Sequence, residues 1–370
     1  MVNIIIIGAG FGGLLCAKTL LKQKIDGLQI TIITPYKNFV FVPLIHEIAA
    51  GYLKEEDVKC NIIEMFKNRK NVGLVFNSAT SIDLEKKVVK CRGTDVNFDY
   101  LVVSNGSETN FFSVPGAEKN SFQLKSVKDA IKIKSRVESL LRWDKVISVI
   151  GGGATGVEIA GELACFLKSK NSKLKLQIIH SGDRILPMLD NKLSKKAQKR
   201  LEKLGVKVVL NSKVTKIEKE FIEVNEKNKI ISDMSIWTTG IKPATLPIVP
   251  KPQEEKGGIL VDSKLCAGGA ENVYVIGDAA ICYDKNKKPV PFLAQAAMEE
   301  EKFAAKNIAN RISGRPKQNF RFKSKGVLIS VGRGYAVGTP LNFKMSGLLP
   351  WLMKKIAYRA YIVGLRKNII

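Results

Sequence analysis

A chain of 370 residues is long enough for two or three domains at roughly 150 residues each. With 45% hydrophobic and 25% charged residues it has ordinary globular usage, which excludes a disordered or collagen-like chain. Lys and Arg total 60 against 34 Asp and Glu, a net charge of +26, which bears on anionic partners and not on the fold. The uncharged stretch Ile4 to Ala17 is too short and too glycine-broken to span a membrane, and no basic leader precedes it. The protein is therefore expected to keep its N-terminus and stay on the cytoplasmic side.

Val2 to Ile7 is a β-branched run suited to a buried parallel strand. Gly8-Ala9-Gly10-Phe11-Gly12-Gly13 follows at once, Leu14 to Leu21 reads helical, and Gln29 to Thr34 closes a βαβ unit. In that context Gly8 permits the turn, Gly10 lets backbone approach a pyrophosphate, and Gly13 lets helix and strand pack closely. Val72 to Tyr100 is predicted to be a small meander of short strands, and Tyr100 to Ser104 another buried strand ending at Asn105-Gly106-Ser107. The first unit then recurs. Val146 to Ile150 is its strand, Gly151-Gly152-Gly153-Ala154-Thr155-Gly156 its turn, Val157 to Leu167 its helix and Leu174 to Ile179 its second strand. Two such units imply two dinucleotides, most economically one flavin and one nicotinamide. Lys207 to Leu210, Phe221 to Val224 and Met234 to Trp237 continue as strands. Val273 to Ile276 is a strand that stops at Gly277-Asp278, where an acid can accept from ribityl or sugar hydroxyls or simply cap a helix.

The six cysteines contain no CxxC or CxxxxC pair, so no metal knuckle or redox dithiol is encoded, and core packing accounts for them. With two histidines and no HExxH, no metal site is expected.

Over nearly its whole length the chain resembles the type II NADH dehydrogenases of the two-dinucleotide flavoprotein reductase superfamily. Beyond the glycine turns, the likeness rests on Pro43-Leu44-Ile45-His46-Glu47-Ile48-Ala49-Ala50-Gly51, Tyr100 to Ser107, Val114-Pro115-Gly116, Trp237 to Pro243, Gly277-Asp278, Ala294-Gln295 and Ser330 to Val337. The resemblance implies an α/β fold of two Rossmann-like domains plus a C-terminal amphipathic membrane-binding segment. The FAD-binding domain would be discontinuous, 1–110 and 245–325, the NAD(P)H-binding domain 111–244, and the membrane segment 326–370. It implies hydride transfer from NADH to FAD and two electrons onward to a membrane quinone, without proton pumping.

By the same resemblance Gly8, Gly10, Phe11, Gly12, Gly13, Thr34, Pro43, Gly106, Gly277, Asp278, Ala294 and Gln295 would lie around the flavin. Gly151, Gly153, Ala154, Thr155, Gly156, Glu158, His180, Thr239 and Gly240 would hold the nicotinamide cofactor. Glu158, Gln295 and Glu299 are the candidate catalytic residues: Glu158 toward the nicotinamide face, Gln295 as a donor to a quinone carbonyl, Glu299 as a proton acceptor. Three departures stand out. Thr34 and His180 occupy the places of the two ribose-binding acids, so NADPH stays open beside NADH, and Glu299 replaces a second Gln in the quinone motif. His46 lies where an aromatic is usual.

In the tail, Ser346 to Asn368, helical spacing puts Leu349, Leu352, Ile356, Ala360 and Val363 on one face, with Trp351, Tyr358 and Ile362 opposite. From Phe343 onward there are six basic residues and no acidic one. That pattern describes a helix lying on an anionic membrane, or one docked on the protein or on a dimer partner. A peripheral homodimer without a transmembrane helix is expected, anchored by one tail helix where the family usually has two. The competing readings are a soluble ferredoxin or rubredoxin reductase, a sulfide:quinone oxidoreductase, disfavoured because no cysteine follows Cys282, and a nucleic-acid-binding module, for which no motif exists.

Overall fold

The computed structural model describes residues 1–284 and 286–367, so Lys285 and the last three residues, including Asn368 of the predicted tail, lie outside the described residues. Two five-stranded parallel sheets carry the architecture. The first runs in the order Val273–Val275, Tyr100–Val103, Val2–Ile7, Leu28–Ile33, Val72–Val75. The second runs Ser121–Gln123, Met234–Trp237, Val146–Ile150, Lys175–Ile179, Val206–Val209. In both, the strand that feeds the glycine turn is central. Successive connections leave it in opposite directions, which opens a crevice at its carboxyl end. The continuous apolar runs fit this burial, since helices cover both faces of such sheets: Ile4, Ile6, Ile147 and Val149 are wholly buried.

Each glycine turn passes straight into a helix. These helices, Phe11–Leu21 and Ala154–Ser169, begin three residues earlier than the predicted Leu14 and Val157. The glycine-rich stretch reads locally as a loop, yet Gly10 and Gly153 are extended N-cap residues and the helix starts immediately after them.

The predicted 72–100 meander is corrected. Val72–Val75 is the parallel edge strand of the first sheet, and only Ala79–Asp83, Val88–Cys91 and Thr94–Asn97 form an antiparallel meander, to which Ile248–Val249 adds. Local composition marks all of these as strand, while partner choice is a long-range matter. Ser107–Thr109 pairs with Ile241–Pro243 where the chain passes between the two sheets.

After the long helix Ala294–Ile312 the chain forms a three-stranded sheet, Leu328–Ser330, Ala336–Gly338 and Met345–Gly347, and ends in the helix Leu348–Arg366. That helix docks by one side: Ile362 and Leu365 are buried, and Tyr358 and Tyr361 pack on Phe41 with ring centroids 5.0 and 5.5 Å away. The opposite side, Leu349, Leu352, Ile356, Ala360 and Val363, is exposed. Among the described residues no helix is long and apolar enough to cross a membrane.

Candidate active site

The two glycine turns have the same stereochemistry. Gly8 and Gly151 have φ of +94° and +112°, and a Cβ on Gly13 or Gly156 would lie 2.0 or 1.9 Å from the carbonyl oxygen of Gly8 or Gly151. Those positions require glycine for the fold itself. Gly10 and Gly153 differ: a Cβ there would meet nothing within 4 Å. A residue whose missing side chain leaves open space directly before an uncapped helix N-terminus is what close approach of a pyrophosphate needs. Phe11, Ala154 and Thr155 open the two helices beside these cradles, and Gly12 is closed off by Ile276 at 3.2 Å from its virtual Cβ.

Both turns are braced by a hydroxyl from the neighbouring strand. Ser104 Oγ donates to the Ile7 carbonyl at 2.7 Å, and Thr238 Oγ1 donates to the Ile150 carbonyl at 2.8 Å. Neither residue is among the sequence candidates. The signal for both was present as a hydroxyl residue two places before a glycine, Ser104-Asn105-Gly106 and Thr238-Thr239-Gly240. Thr239 lies against Gly151, and Gly240, at φ +76°, packs on the Phe112 ring; Gly106, at φ +77°, faces open space.

The two substitutes for ribose-binding acids are both engaged. Thr34 is buried just past its strand and its hydroxyl accepts from the Tyr36 N–H at 3.3 Å. His180 Nδ1 accepts from the Gly152 N–H at 3.1 Å, so the imidazole buttresses the second turn. Burial lowers its pKa against the opposing pull of the Arg184 backbone and Asp183, leaving the ring neutral near pH 7.

On the flavin side, Gly277 and Asp278 begin a 3-10 turn just past the carboxyl end of the Val273–Val275 strand. The Asp278 carboxylate accepts from Ser107 Oγ, and Lys125 donates to that same hydroxyl at 2.6 Å. Gly277 N–H donates to Glu300, whose carboxyl burial pushes up to about 7. Pro43 sits in a turn, Val42–Leu44, that launches the short helix Ile45–Ala49 bearing His46 and Glu47. Phe11 packs edge-on against Phe39 at 5.1 Å and also touches Phe41 and Tyr361, joining the first turn to the C-terminal helix.

Glu158 occupies the second glycine-turn helix within a buried ionic cluster drawn from four parts of the chain. Its carboxylate bonds Lys354 of the C-terminal helix, accepts from the Ser330 N–H at 3.3 Å, and lies 3.8 Å from His46 Nδ1. Burial would raise this carboxyl, but Lys354, His46 and Ser330 outweigh it and hold it below the ordinary carboxylate range. Beside it, Lys355 bonds Glu47, and the facing atoms His46 Nε2 and Glu47 Oε1 are 3.9 Å apart and otherwise unpartnered. The nearby Glu162 is pushed up to about 7 by burial and by Glu47. The sequence names Glu158 and His46 but not the pairs Glu158–Lys354 and Glu47–Lys355, because no local pattern links positions so far apart.

This cluster corrects the reading of the tail. Its basic residues were expected to face a membrane, yet Lys354 is only 3% exposed, Lys355 is paired with Glu47, Lys344 with Asp190, and Arg366 donates to the carbonyls of Glu56 and Lys59. Buried carboxylates on the docked side attract Lys354 and Lys355 inward, while Arg359 remains exposed.

Gln295 and Glu299 share one face of the helix that Ala294 begins. Gln295 Oε1 accepts from the Lys325 N–H at 3.4 Å, and Glu299 pairs with Lys302 and Lys325 at 3.0 and 3.1 Å. Burial acts to raise Glu299, and the two lysines bring it below the ordinary range, so it is an ionised, paired carboxylate at neutral pH. Glu158 and Gln295 thus bind backbone at Ser330 and Lys325, up to about 16 Å apart along an extended chain. All six cysteines are free, and among the described residues no group of His, Cys, Asp and Glu could hold a metal ion.

Residues 2–300 match the family model for pyridine nucleotide-disulphide oxidoreductases. The chain belongs to the pyridine nucleotide-disulphide oxidoreductase family. Within it, the chain is 26% identical to the type II NADH:quinone oxidoreductase NdhA of Mycobacterium tuberculosis, over 99% of this chain and 85% of that one. It is 29% identical to the type II NADH:quinone oxidoreductase of Staphylococcus epidermidis, over 96% and 93% of the two chains. A solved structure of NDH2 from Plasmodium falciparum superposes with a TM-score of 0.87 at 22% identity, covering 96% of this chain and 94% of that one. The sulfide:quinone oxidoreductase of Aquifex aeolicus superposes almost as well, at 0.86 and 18% identity over 99% and 92%, so the shared fold does not separate these activities. Cys282, the last cysteine in the chain, is buried and its pKa is pushed up to about 12, which does not suit the reactive thiol a sulfide site needs.

Proposed function

We propose that the chain is an FAD-dependent NADH:quinone oxidoreductase that works at a membrane surface. The observation that carries this is the pair of matched cradles, each with an open glycine ahead of an uncapped helix, in a chain whose curated relatives are named for that activity. The FAD domain is assigned to 1–110 and 245–325, with its pyrophosphate on the Gly8 to Gly13 turn and its ribityl chain at Asp278. The NADH domain is assigned to 111–244, with its pyrophosphate on the Gly151 to Gly156 turn. A bound flavin would supply the hydride-accepting and two-electron chemistry.

The protein's own residues orient and isolate. Ser104 and Thr238 fix the cradles, and Lys125 and Ser107 hold Asp278 in place while leaving it lone pairs for hydroxyl donors. Glu158, held ionised by Lys354, is assigned as an acceptor for the carboxamide of the nicotinamide. Gln295, whose amide nitrogen is free of the Lys325 contact, is assigned as donor to a quinone carbonyl. Glu299 is assigned to steady Lys325 rather than to take a proton.

The exposed apolar side of the C-terminal helix is assigned to the membrane interface, on the cytoplasmic face. A second copy of the chain could cover the same side as a homodimer, and sedimentation without lipid distinguishes the two occupants. The decisive experiment on the activity is anaerobic bleaching of the bound flavin by NADH, followed by recolouring with a soluble quinone. A flavin that NADH leaves oxidised overturns the donor assignment, and one that quinone cannot reoxidise overturns the acceptor.

A further inference from the structure

Between the second parallel sheet and the C-terminal sheet lies a helix whose charge the proposed reaction does not use. Asn191–Lys203 buries Leu193, Ser194, Ala197 and Leu201 and turns Lys192, Lys195, Lys196, Lys199 and Lys203 to solvent. At 100° per residue the five lysines fall within one arc of about 100°, directly opposite the buried stripe. Among the described residues none of the five forms an ion pair with a carboxylate. Five lysine pairs stand at i+3 or i+4 along it, each costing a helix roughly 0.2–0.5 kcal/mol, and its one acid, Glu202 at the edge of the stripe, accepts from Gln198 at 2.9 Å. The helix persists because its other side packs on the C-terminal sheet, where Arg200 donates to the carbonyl of Arg333 at 3.2 Å.

Position gives this stripe a partner. Lys196 Nζ donates to Ser346 at 3.0 Å, two residues before the C-terminal helix begins, and Lys344 pairs with Asp190, the N-cap of the lysine helix. Through Lys196 the stripe therefore adjoins the start of the exposed apolar side that carries Leu348, Leu349, Leu352 and Ile356, and Phe343 nearby in sequence is exposed as well. Three of the tail's six cations pair with Glu158, Glu47 and Asp190. Arg359 stays exposed beside its apolar side, and the lysine helix adds five further charges from outside the tail.

We propose that the lysine face of Asn191–Lys203 binds the headgroups of an anionic phospholipid bilayer, forming one docking surface with the apolar side of the C-terminal helix. This rests on the reading that the apolar side faces a membrane. Apolar side chains enter the interface, and the adjacent lysines meet the negative surface potential, which relieves their mutual repulsion. A free nucleic acid would use the lysines but leave the neighbouring apolar side chains in water, so the bilayer is the better match.

The test uses the full-length flavin-loaded protein and co-sedimentation with vesicles of phosphatidylcholine alone or mixed equally with phosphatidylglycerol. Lys195→Gln/Lys199→Gln/Lys203→Gln should weaken binding to the anionic vesicles by about fivefold per lysine, on the order of a hundredfold in all, and flatten its salt dependence. Its melting temperature should not fall, since like-charge pairs are removed. A control, Lys86→Gln/Lys87→Gln/Lys90→Gln on the separate 79–97 sheet, should bind as the parent does. Unchanged anionic binding by the first variant, or equal loss in the control, overturns the assignment while leaving the apolar helix as anchor. Indifference of the parent to both vesicle types overturns the membrane reading together with it. Lysine-dependent binding of duplex DNA with no vesicle preference would hand the surface to a nucleic acid.

Discussion

Replacing Lys354 by Met tests the ionic cluster directly, because Met keeps the length of the stem and removes only the charge. The Lys354 and Glu158 side chains are 2% and 13% exposed, so solvent screens the pair little. Removing one partner of such a pair typically costs about 3–5 kcal/mol, since the other charge stays buried alone. For a 370-residue chain unfolding as one unit, at about 2.1 cal/mol/K per residue, this lowers the melting temperature by roughly 4–6 °C. The loss has a pH signature. In the parent, Glu158 is held below its ordinary range, so its stabilisation is present above the unfolded carboxylate value and fades as pH falls through the depressed one. In the variant, burial acts with less opposition and raises the carboxyl, so the deficit is largest above neutrality and shrinks on acidification. Differential scanning fluorimetry at about pH 5 and about pH 8 reads this, and adding Glu158→Gln should restore most of the loss. An equal deficit at both pH values, or no rescue in the double variant, would refute the claim that the pair holds the C-terminal helix to the second glycine-turn domain.

Four further outcomes are expected. Gly153→Ala should fold normally, because its Cβ meets nothing within 4 Å, yet lose NADH affinity, whereas Gly156→Ala, 1.9 Å from a carbonyl, should destabilise the domain; calorimetry with NADH separates them. Gln295→Ala should slow flavin recolouring by quinone at least tenfold more than bleaching by NADH, and stopped-flow absorbance that shows equal slowing would remove its assigned role. His180→Asp should shift the ratio of kcat/KM toward NADH over NADPH by introducing a charge that repels a 2′-phosphate; an unchanged ratio would show that the imidazole only braces Gly152. Burial holds the Glu301 carboxyl at about 7, above its unfolded value, so the native state binds the extra proton and stability falls as pH rises between about 4.5 and 7. Glu301→Gln should reduce that slope, to which Glu162 and Glu300 also contribute, in melting curves, and an unaltered slope would place the proton elsewhere.

The sequence by itself determined the two halves of the fold that rest on local rules. A β-branched run, a glycine turn and a helix are contiguous, so both cradles, their glycine roles and even the exposed stripe of the tail could be read in order. Ser104 and Thr238 were legible too, as a repeated hydroxyl before a glycine, though only a comparison of the two halves brings them out. Tertiary structure alone decided what lies across the chain from what. It moved Val72–Val75 from a meander to a sheet edge, turned Lys354 and Lys355 away from solvent toward Glu158 and Glu47, and set a lysine helix of one domain beside the apolar side of another. The physical reason is range: backbone sterics and side-chain periodicity act within a turn or two, whereas a buried charge takes whichever opposite charge the packed chain brings to it.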